Sequence, residues 1–315
     1  MIRLENLTKE YDLPSGPLAQ IVAADHLNLE ISSREIFGLV GPNGAGKTTT
    51  LKMICGLLVP TAGRVTVNGI DVEREPEEAQ GSIGYLADFF SLYDDLKVWE
   101  YLDYFARAYK VEPATIPQRV STIIGRMGLE SKRDAFIAGL SRGMKQRLGI
   151  GRAIIHNPPV LVLDEPAAGL DPKARVGLKD LLRELNAGGT TIFITSHVLS
   201  DLEEICTSLG ILEKGHLVRV GTLQHVMHEA GAARRFRVKL AAPGFALAEW
   251  LAAQPGVSDV LSQDAFVAFA LAGGDAELAE IVRALVAAGA PLCGVEEIVE
   301  TLEKLFSRLS SGEVM

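Results

Sequence analysis

The segment 41-GPNGAGKT-48 constrains this 315-residue chain more than any other. It fits G-x-x-x-x-G-K-[ST] and stands between an apolar run, 35-EIFGLV-40, and a helical pattern, 46-GKTTTLKMICGLL-58. That strand–loop–helix setting is what a phosphate-binding loop requires. Backbone N–H groups must converge on a phosphate there, so a Cβ in the loop would obstruct close approach. A helix starting near Lys47 aims the positive end of its dipole at the same point. Lys47 is then placed to neutralise β- and γ-phosphate oxygens, and Thr48 to offer its hydroxyl to Mg²⁺. The competing reading is a glycine-rich turn that happens to carry a lysine.

Around this loop, residues 1 to about 225 alternate β-branched runs with helical patterns, which implies strands joined through crossover helices. The runs 35-EIFGLV-40, 159-PVLVLD-164, 190-TTIFITS-196 and 209-LGILEK-214 are apolar throughout, as strands of a parallel sheet buried on both faces must be. Helices are expected over 46–58, 172–186 and 198–208, with turns at 68-NG-69, 188-GG-189 and 214-KG-215. The acidic run 73-EREPEE-78 reads as an exposed loop. Residues 85–109 hold nine of the nineteen aromatics, and from Trp99 onward their spacing is that of an amphipathic helix. They fit the core of a small helical subdomain, a partner-docking surface, or both.

After about residue 225 the sequence turns Ala-rich. Strand 235–240, helix 245–254, strands 256–262 and 265–271, helix 274–289, strand 291–298 and a last helix 299–309 give the order β-α-β-β-α-β plus a helix, the ferredoxin-like split motif. No catalytic constellation stands in it. His225 and His228 are spaced as metal ligands on one helix turn, but a solvated face explains them without a third ligand.

The run 159-PVLVLDEP-166 ends an apolar strand in two carboxylates. Beside a phosphate-binding loop, Asp164 suits Mg²⁺ through its water shell. Glu165, on the other side of the pleat, suits a water-polarising base. Shortly before it, 140-LSRGMKQRLGIGRAI-154 opens a helix, with Ser141 as N-cap, the small Gly143 nearby, and a basic face of Lys145, Arg147 and Arg152.

With 140-LSRGMKQR-147, the chain resembles the ATP-binding subunit of ABC transporters, whose LSGGQ-type signature matches here as LSRGM. The segments 168-AGLDP-172 and 195-TSH-197 match that family's D-loop and switch-histidine motif, and Tyr11 falls where the family stacks an aromatic on adenine. The resemblance covers roughly residues 1–222 and implies a head-to-tail dimer with two ATP molecules at its interface. Gly41, Pro42, Asn43, Gly44, Ala45, Gly46, Lys47, Thr48 and Thr49 of one protomer would cradle each nucleotide. Ser141 and Gly143 of the other would cover the γ-phosphate, with the helix dipole and N–H donors completing an anion site. His197 would donate to the γ-phosphate, and Asp171 would tie the two sites together. The family commonly has a glutamine after the strand 83-IGYLA-87, where this chain has Asp88. A carboxylate still coordinates Mg²⁺ but donates no hydrogen bond when ionised.

The expected architecture is therefore α/β: a P-loop NTPase core of the ABC type over 1–225, with a helical subdomain at about 88–157, and a small α+β ferredoxin-like domain over 231–315. A formal net charge of −9 argues against nucleic acid as a partner. Three dispersed cysteines, Cys55, Cys206 and Cys293, fit a reducing cytoplasm rather than a disulfide framework. No apolar run reaches the roughly 18 residues of a membrane helix. A second copy or a homologous ATPase, and a separately encoded membrane permease, are thus the expected partners at the cytoplasmic face of the membrane. The resemblance points to exporter-type ATPases, with aromatics near 88–105 as the dock for the permease. A regulatory ATPase that signals through a membrane partner without moving cargo is the alternative.

Overall fold

The computed structural model describes residues 1–12, 20–198, 202–222, 234–242, 244–263 and 266–298. It divides into two compact units, residues 1–223 and 224–315.

The first unit is built on a six-stranded sheet. Its strands are β3 (Ile36–Val40), β6 (Ile83–Leu86), β7 (Val160–Asp164), β8 (Thr191–Ser196), β9 (Ser208–Glu213) and β10 (His216–Thr222). Their spatial order is β10-β9-β3-β8-β7-β6. Every pairing is parallel except β9 with β10. Every residue of β3, β7 and β8 is buried, which is why those runs carry no polar alternation. The helices α1 (Lys47–Ile54) and α6 (Pro172–Ala187) stand where the sequence placed them. Of the helix expected over 198–208, residues 199–201 lie outside the described residues.

A second, antiparallel sheet escapes the sequence pattern. It pairs β1 (Ile2–Asp12), β2 (Gln20–Ile31), β4 (Ala62–Val67) and β5 (Ile70–Asp71) in the order β2-β1-β4-β5. Register shifts between Leu4 and Leu7, Leu7 and Lys9, and Lys9 and Glu10 interrupt the period-two alternation that would have revealed β1 and β2. The inner residues Ile2, Leu4, Leu7, Leu27 and Ile31 join Phe37, Leu51, Val162 and Phe193 in one hydrophobic core, with Phe37 and Phe193 stacked at 5.6 Å. The run 73–78 is also not wholly a loop: α2 (Pro76–Gly81) starts inside it, with Pro76 at the first turn and Glu77 and Glu78 favoured at its N-terminus.

Helices α3 (Val98–Ala108), α4 (Ile116–Arg126) and α5 (Arg142–Ala153) follow β6. Their buried faces are Tyr101, Leu102 and Ala106; Val120, Ile123 and Ile124; and Leu148 and Ile150. The aromatic segment is partly core and partly exposed: Tyr101 is fully buried while Phe89 is 91% exposed. The basic face expected on α5 does not exist. Lys145 pairs with Asp94 at 3.0 Å, Arg147 lies against Gly177, and Arg152 donates to the Tyr85 carbonyl and lies over the Phe90 and Phe105 rings.

The second unit runs β11 (Arg234–Leu240), α7 (Leu247–Ala252), β12 (Val257–Gln263), β13 (Phe266–Leu271), α8 (Asp275–Ala287) and β14 (Leu292–Ile298). Its sheet order is β12-β13-β11-β14, antiparallel throughout, so each helix connects two strands that flank a third, as in the split β-α-β motif. Phe236, Val238, Leu251, Phe269, Ile281 and Leu285 form its core. His225, His228 and the helix expected over 299–309 lie outside the described residues. Among those described, no helix is long and apolar enough to cross a membrane.

Candidate nucleotide site

The loop Gly41–Gly46 leaves the carboxyl end of β3, and α1 begins at Lys47. Its glycines answer two different demands. Gly46 has φ +107°, and a Cβ there would lie 2.0 Å from the Ala23 carbonyl oxygen of β2. Gly44, at φ +82°, has no atom of the described residues, its chain neighbours apart, within 4 Å of its would-be Cβ. The requirement at Gly46 is therefore the protein's own backbone. Only Gly44 faces the open space that phosphate approach needs. Gly41 resembles Gly46 in this respect: a Cβ there would sit 2.2 Å from the Leu212 carbonyl oxygen.

The buried Lys47 ammonium donates to the Gly41 carbonyl at 2.7 Å and to that of Pro42 at 3.3 Å. It stands 3.6 Å from Glu165 Oε1. The Thr48 hydroxyl donates to Asp164 Oδ2 at 3.0 Å, and the Thr195 hydroxyl donates to Asp164 Oδ1 at 2.6 Å. Thr195 Oγ1 in turn accepts from the Glu165 backbone N–H at 3.1 Å. Thr195 thus joins the two carboxylate residues, a role the residue-by-residue reading missed. Its position opposite Asp164 in the β7–β8 register is the signal that could have found it.

Glu165 does not continue the pleat of β7, contrary to the alternation argument. Its φ is +48°, so a left-handed residue turns the side chain after the strand has ended. Glu165 Oε2 accepts from the His197 backbone N–H at 3.2 Å and lies 2.7 Å from His197 Nδ1. An ionised carboxylate only accepts, so Nδ1 carries the proton in this arrangement. His197, expected as a γ-phosphate donor, spends Nδ1 on Glu165, so Nε2 is the ring nitrogen that remains for such a contact. Lys47 and Thr48 from the first turn of α1, Asp164 and Glu165 from the end of β7, and His197 from the end of β8 are thereby brought into one group.

The other anticipated residues are placed around this group. Asp88 follows β6 and lines an open groove of about 560 Å³ together with Phe89, Phe90, Arg142, Glu165 and Ala168. Partial burial holds its carboxyl above the usual range, and the Asp164 and Glu165 charges push the same way. Arg142 and His197 oppose that shift. Tyr11 stands half-exposed at the end of β1, opposite Ile21 on β2, with Lys9 Nζ 5.5 Å from its ring centre. The strand β2 that carries Ile21 also places Ala23 against Gly46. Ser141 caps α5, its hydroxyl accepting from Met144 N–H at 3.4 Å. Asp171 caps α6 by accepting from Ala174 N–H at 2.9 Å. Ser141 and Asp171 thus each cap their own helix, and Gly143 brings the first turn of α5 close to Ala174 on α6.

The donor set fits a hard divalent cation. Thr48 and Asp164 offer oxygen ligands only, the chemistry Mg²⁺ selects. Among the described residues no group of three or more His, Cys, Asp or Glu could hold a metal alone. Such an ion would therefore complete its shell with phosphate oxygens and water, which is how Mg²⁺ ordinarily binds.

The sequence profile of the family described as ABC transporter matches residues 24–168. Nod factor export ATP-binding protein I of Cupriavidus metallidurans is 38% identical over 200 residues, covering 64% of this chain and 66% of that protein. The protein of the same name from Paraburkholderia xenovorans is 38% identical over 212 residues, covering 67% of this chain and 70% of its own length. A probable multidrug ABC transporter ATP-binding protein, YbhF of Escherichia coli K12, is 36% identical over 222 residues, 70% of this chain but 37% of its own length. Among solved structures, a dimeric ATP-binding cassette in a post-hydrolysis state bound to ADP and Pi superposes with a TM-score of 0.64. It is 27% identical, covering 71% of this chain and 99% of that one.

Proposed function

This chain belongs to the ABC transporter family of ATP-binding proteins, and from that premise we propose that it is the ATP-hydrolysing subunit of a membrane exporter. The observation that carries the proposal is the convergence of Lys47, Thr48, Asp164, Glu165 and His197 at the carboxyl ends of β3, β7 and β8. Export is supported by relatives named for Nod factor export and multidrug transport.

The loop from Gly41 to Thr49 holds the phosphates, with Gly44 leaving room for them and Tyr11 available to the adenine ring. Lys47 exchanges its carbonyl partners for β- and γ-phosphate oxygens, a stronger charge-assisted contact. Thr48 and Asp164 would hold Mg²⁺, with Asp88 at the rim, and that ion would supply charge neutralisation of the transferred phosphoryl group. Glu165 takes a proton from the attacking water. The Nδ1–H and backbone N–H of His197 keep the carboxylate aimed. For His197 also to donate through Nε2 to a phosphate, its ring must be an imidazolium.

Ser141 and Gly143 of a second copy, or of a homologous subunit, close over the nucleotide. The similarity to a dimeric ADP- and Pi-bound cassette supports this arrangement. The membrane permease, encoded separately, docks at the cytoplasmic face against the groove that carries the exposed Phe89.

Glu165→Gln tests this reading. With ATP and Mg²⁺ the variant should elute as a dimer from size exclusion and release phosphate 10²–10⁴-fold more slowly, roughly the contribution of a general base. A variant that stays monomeric with ATP, or that hydrolyses at the wild-type rate, refutes it.

A further inference from the structure

Arg142 stands where the LSGGQ-type signature has a glycine, and the structure gives it a specific contact. It is the first residue of α5, directly after the Ser141 cap. Its Nη2 donates to the Ala168 carbonyl at 2.9 Å. The guanidinium lies on Gly169, whose φ is +65°, so closely that a Cβ there would come within 2.3 Å of Cζ and Nη1. Two further close approaches continue the seam: a Cβ on Gly143 would lie 3.3 Å from Ala174 Cβ, and one on Gly177 would lie 2.7 Å from Arg147 Nη2. The N-terminal half of α5 thus sits on the loop that precedes α6 and on the first turns of that helix.

That loop is itself a bonded unit. Ala168 N–H donates to the Glu165 carbonyl at 3.0 Å, Leu170 N–H to that of Ala167 at 3.3 Å, and Asp171 caps the following helix. Arg142 fastens its middle. A shift of Ser141 relative to Glu165 is therefore resisted by the Arg142–Ala168 bond and by the packing of the guanidinium on Gly169.

We infer that Arg142 is a positioning residue that couples the two nucleotide sites of the dimer. It ties Ser141, which faces the partner's nucleotide, to the loop from Glu165 to Asp171, which serves the chain's own. This rests on the sandwich arrangement proposed above. A glycine at this position has no donor to offer Ala168. A lysine restores a charged donor but not the planar contact with Gly169.

The test is the ATP dependence of hydrolysis by the full chain, wild type against Arg142→Ala and Arg142→Lys, with binding of a fluorescent ATP analogue measured in parallel. The wild type should show a Hill coefficient approaching 2, the ceiling for about two sites. Arg142→Ala should bring it to about 1 and lower kcat about tenfold, the scale of one lost charge-assisted hydrogen bond. The analogue's affinity should stay within about twofold, because Arg142 makes no contact with the chain's own phosphate loop; Arg142→Lys should recover most of kcat. A wild-type Hill coefficient of 1, an Arg142→Ala variant with wild-type cooperativity, or a lysine variant no better than alanine overturns the assignment. Glu165→Gln separates the two levels: if it dimerises with ATP while Arg142→Ala changes nothing, only the coupling falls, and if it fails to dimerise, the sandwich itself falls.

Discussion

Two glycine-to-alanine exchanges in the phosphate loop should fail in opposite ways. At Gly46 the added Cβ must occupy a point 2.0 Å from the Ala23 carbonyl oxygen, and the backbone sits at φ +107°. A non-glycine residue in this region costs about 1–2 kcal/mol. Displacing a backbone oxygen of β2 adds about 1–3 kcal/mol more as overpacking. Together these give about 3 kcal/mol, which for a unit of this size lowers Tm by about 6–12 °C. At Gly44, φ +82° brings the same conformational cost of about 1–2 kcal/mol, but with no atom of the described residues within 4 Å there is no collision.

Gly44→Ala should therefore melt about 2–8 °C below the wild type, from the conformational cost alone. Its methyl group instead enters the space assigned to phosphate, so ATP affinity should fall at least about tenfold, the loss of a single good backbone contact. Differential scanning calorimetry of the nucleotide-free chain and calorimetric ATP titration measure the two quantities independently. A Gly44→Ala variant that binds ATP with wild-type affinity would show that the open space beside Gly44 is not where phosphate lies. A Gly46→Ala variant of wild-type Tm would remove the claim that β2 dictates that glycine.

Asp88→Gln relieves the crowding of three carboxylates and should retain ATP turnover within about threefold, since the side chain stands at the rim of the site; complete loss of phosphate release would show that the loop after β6 is misassigned. Phe89→Ser should leave basal hydrolysis by the isolated chain unchanged and weaken co-purification with its membrane partner, because the ring is 91% exposed; undiminished co-purification would move the dock elsewhere. His156 is held down to about 4 by burial, against the opposing hydrogen bond to the Ile83 carbonyl. Above pH 6.5 it is neutral folded or unfolded. As pH falls from about 6.5 to 4 only the unfolded chain takes the proton, so stability is lost across that window. His156→Phe, which keeps a ring against Tyr109, should flatten the pH dependence of urea unfolding there; an unchanged slope would contradict the buried neutral histidine.

The aromatic segment shows how far local sequence reaches. Spacing placed a helix near Trp99, and α3 is there, but it could not choose between core and surface. Tyr101, on α3, packs against Tyr93 and Phe105 and is fully buried, whereas Phe89, in the segment between β6 and α3, is left exposed. The charges of Lys145, Arg147 and Arg152 likewise share a helix, yet each finds a different neighbour from another part of the chain. The antiparallel sheet was hidden because bulges in β1 break the very alternation by which a half-buried strand is known.

What the sequence determined by itself is the phosphate loop and the buried parallel strands on either side of it. Both are legible locally: a fixed spacing of glycine, lysine and threonine between a strand and a helix, and continuous apolar residues where both faces of a sheet are covered. Tertiary structure alone decided that a left-handed turn at Glu165 aims its carboxylate at His197, that Thr195 links Asp164 to Glu165, and that Arg142 reaches Ala168. Each of those contacts joins residues 26 to 32 positions apart, and strand register and helix packing, not neighbouring side chains, fix which atoms meet across such a separation.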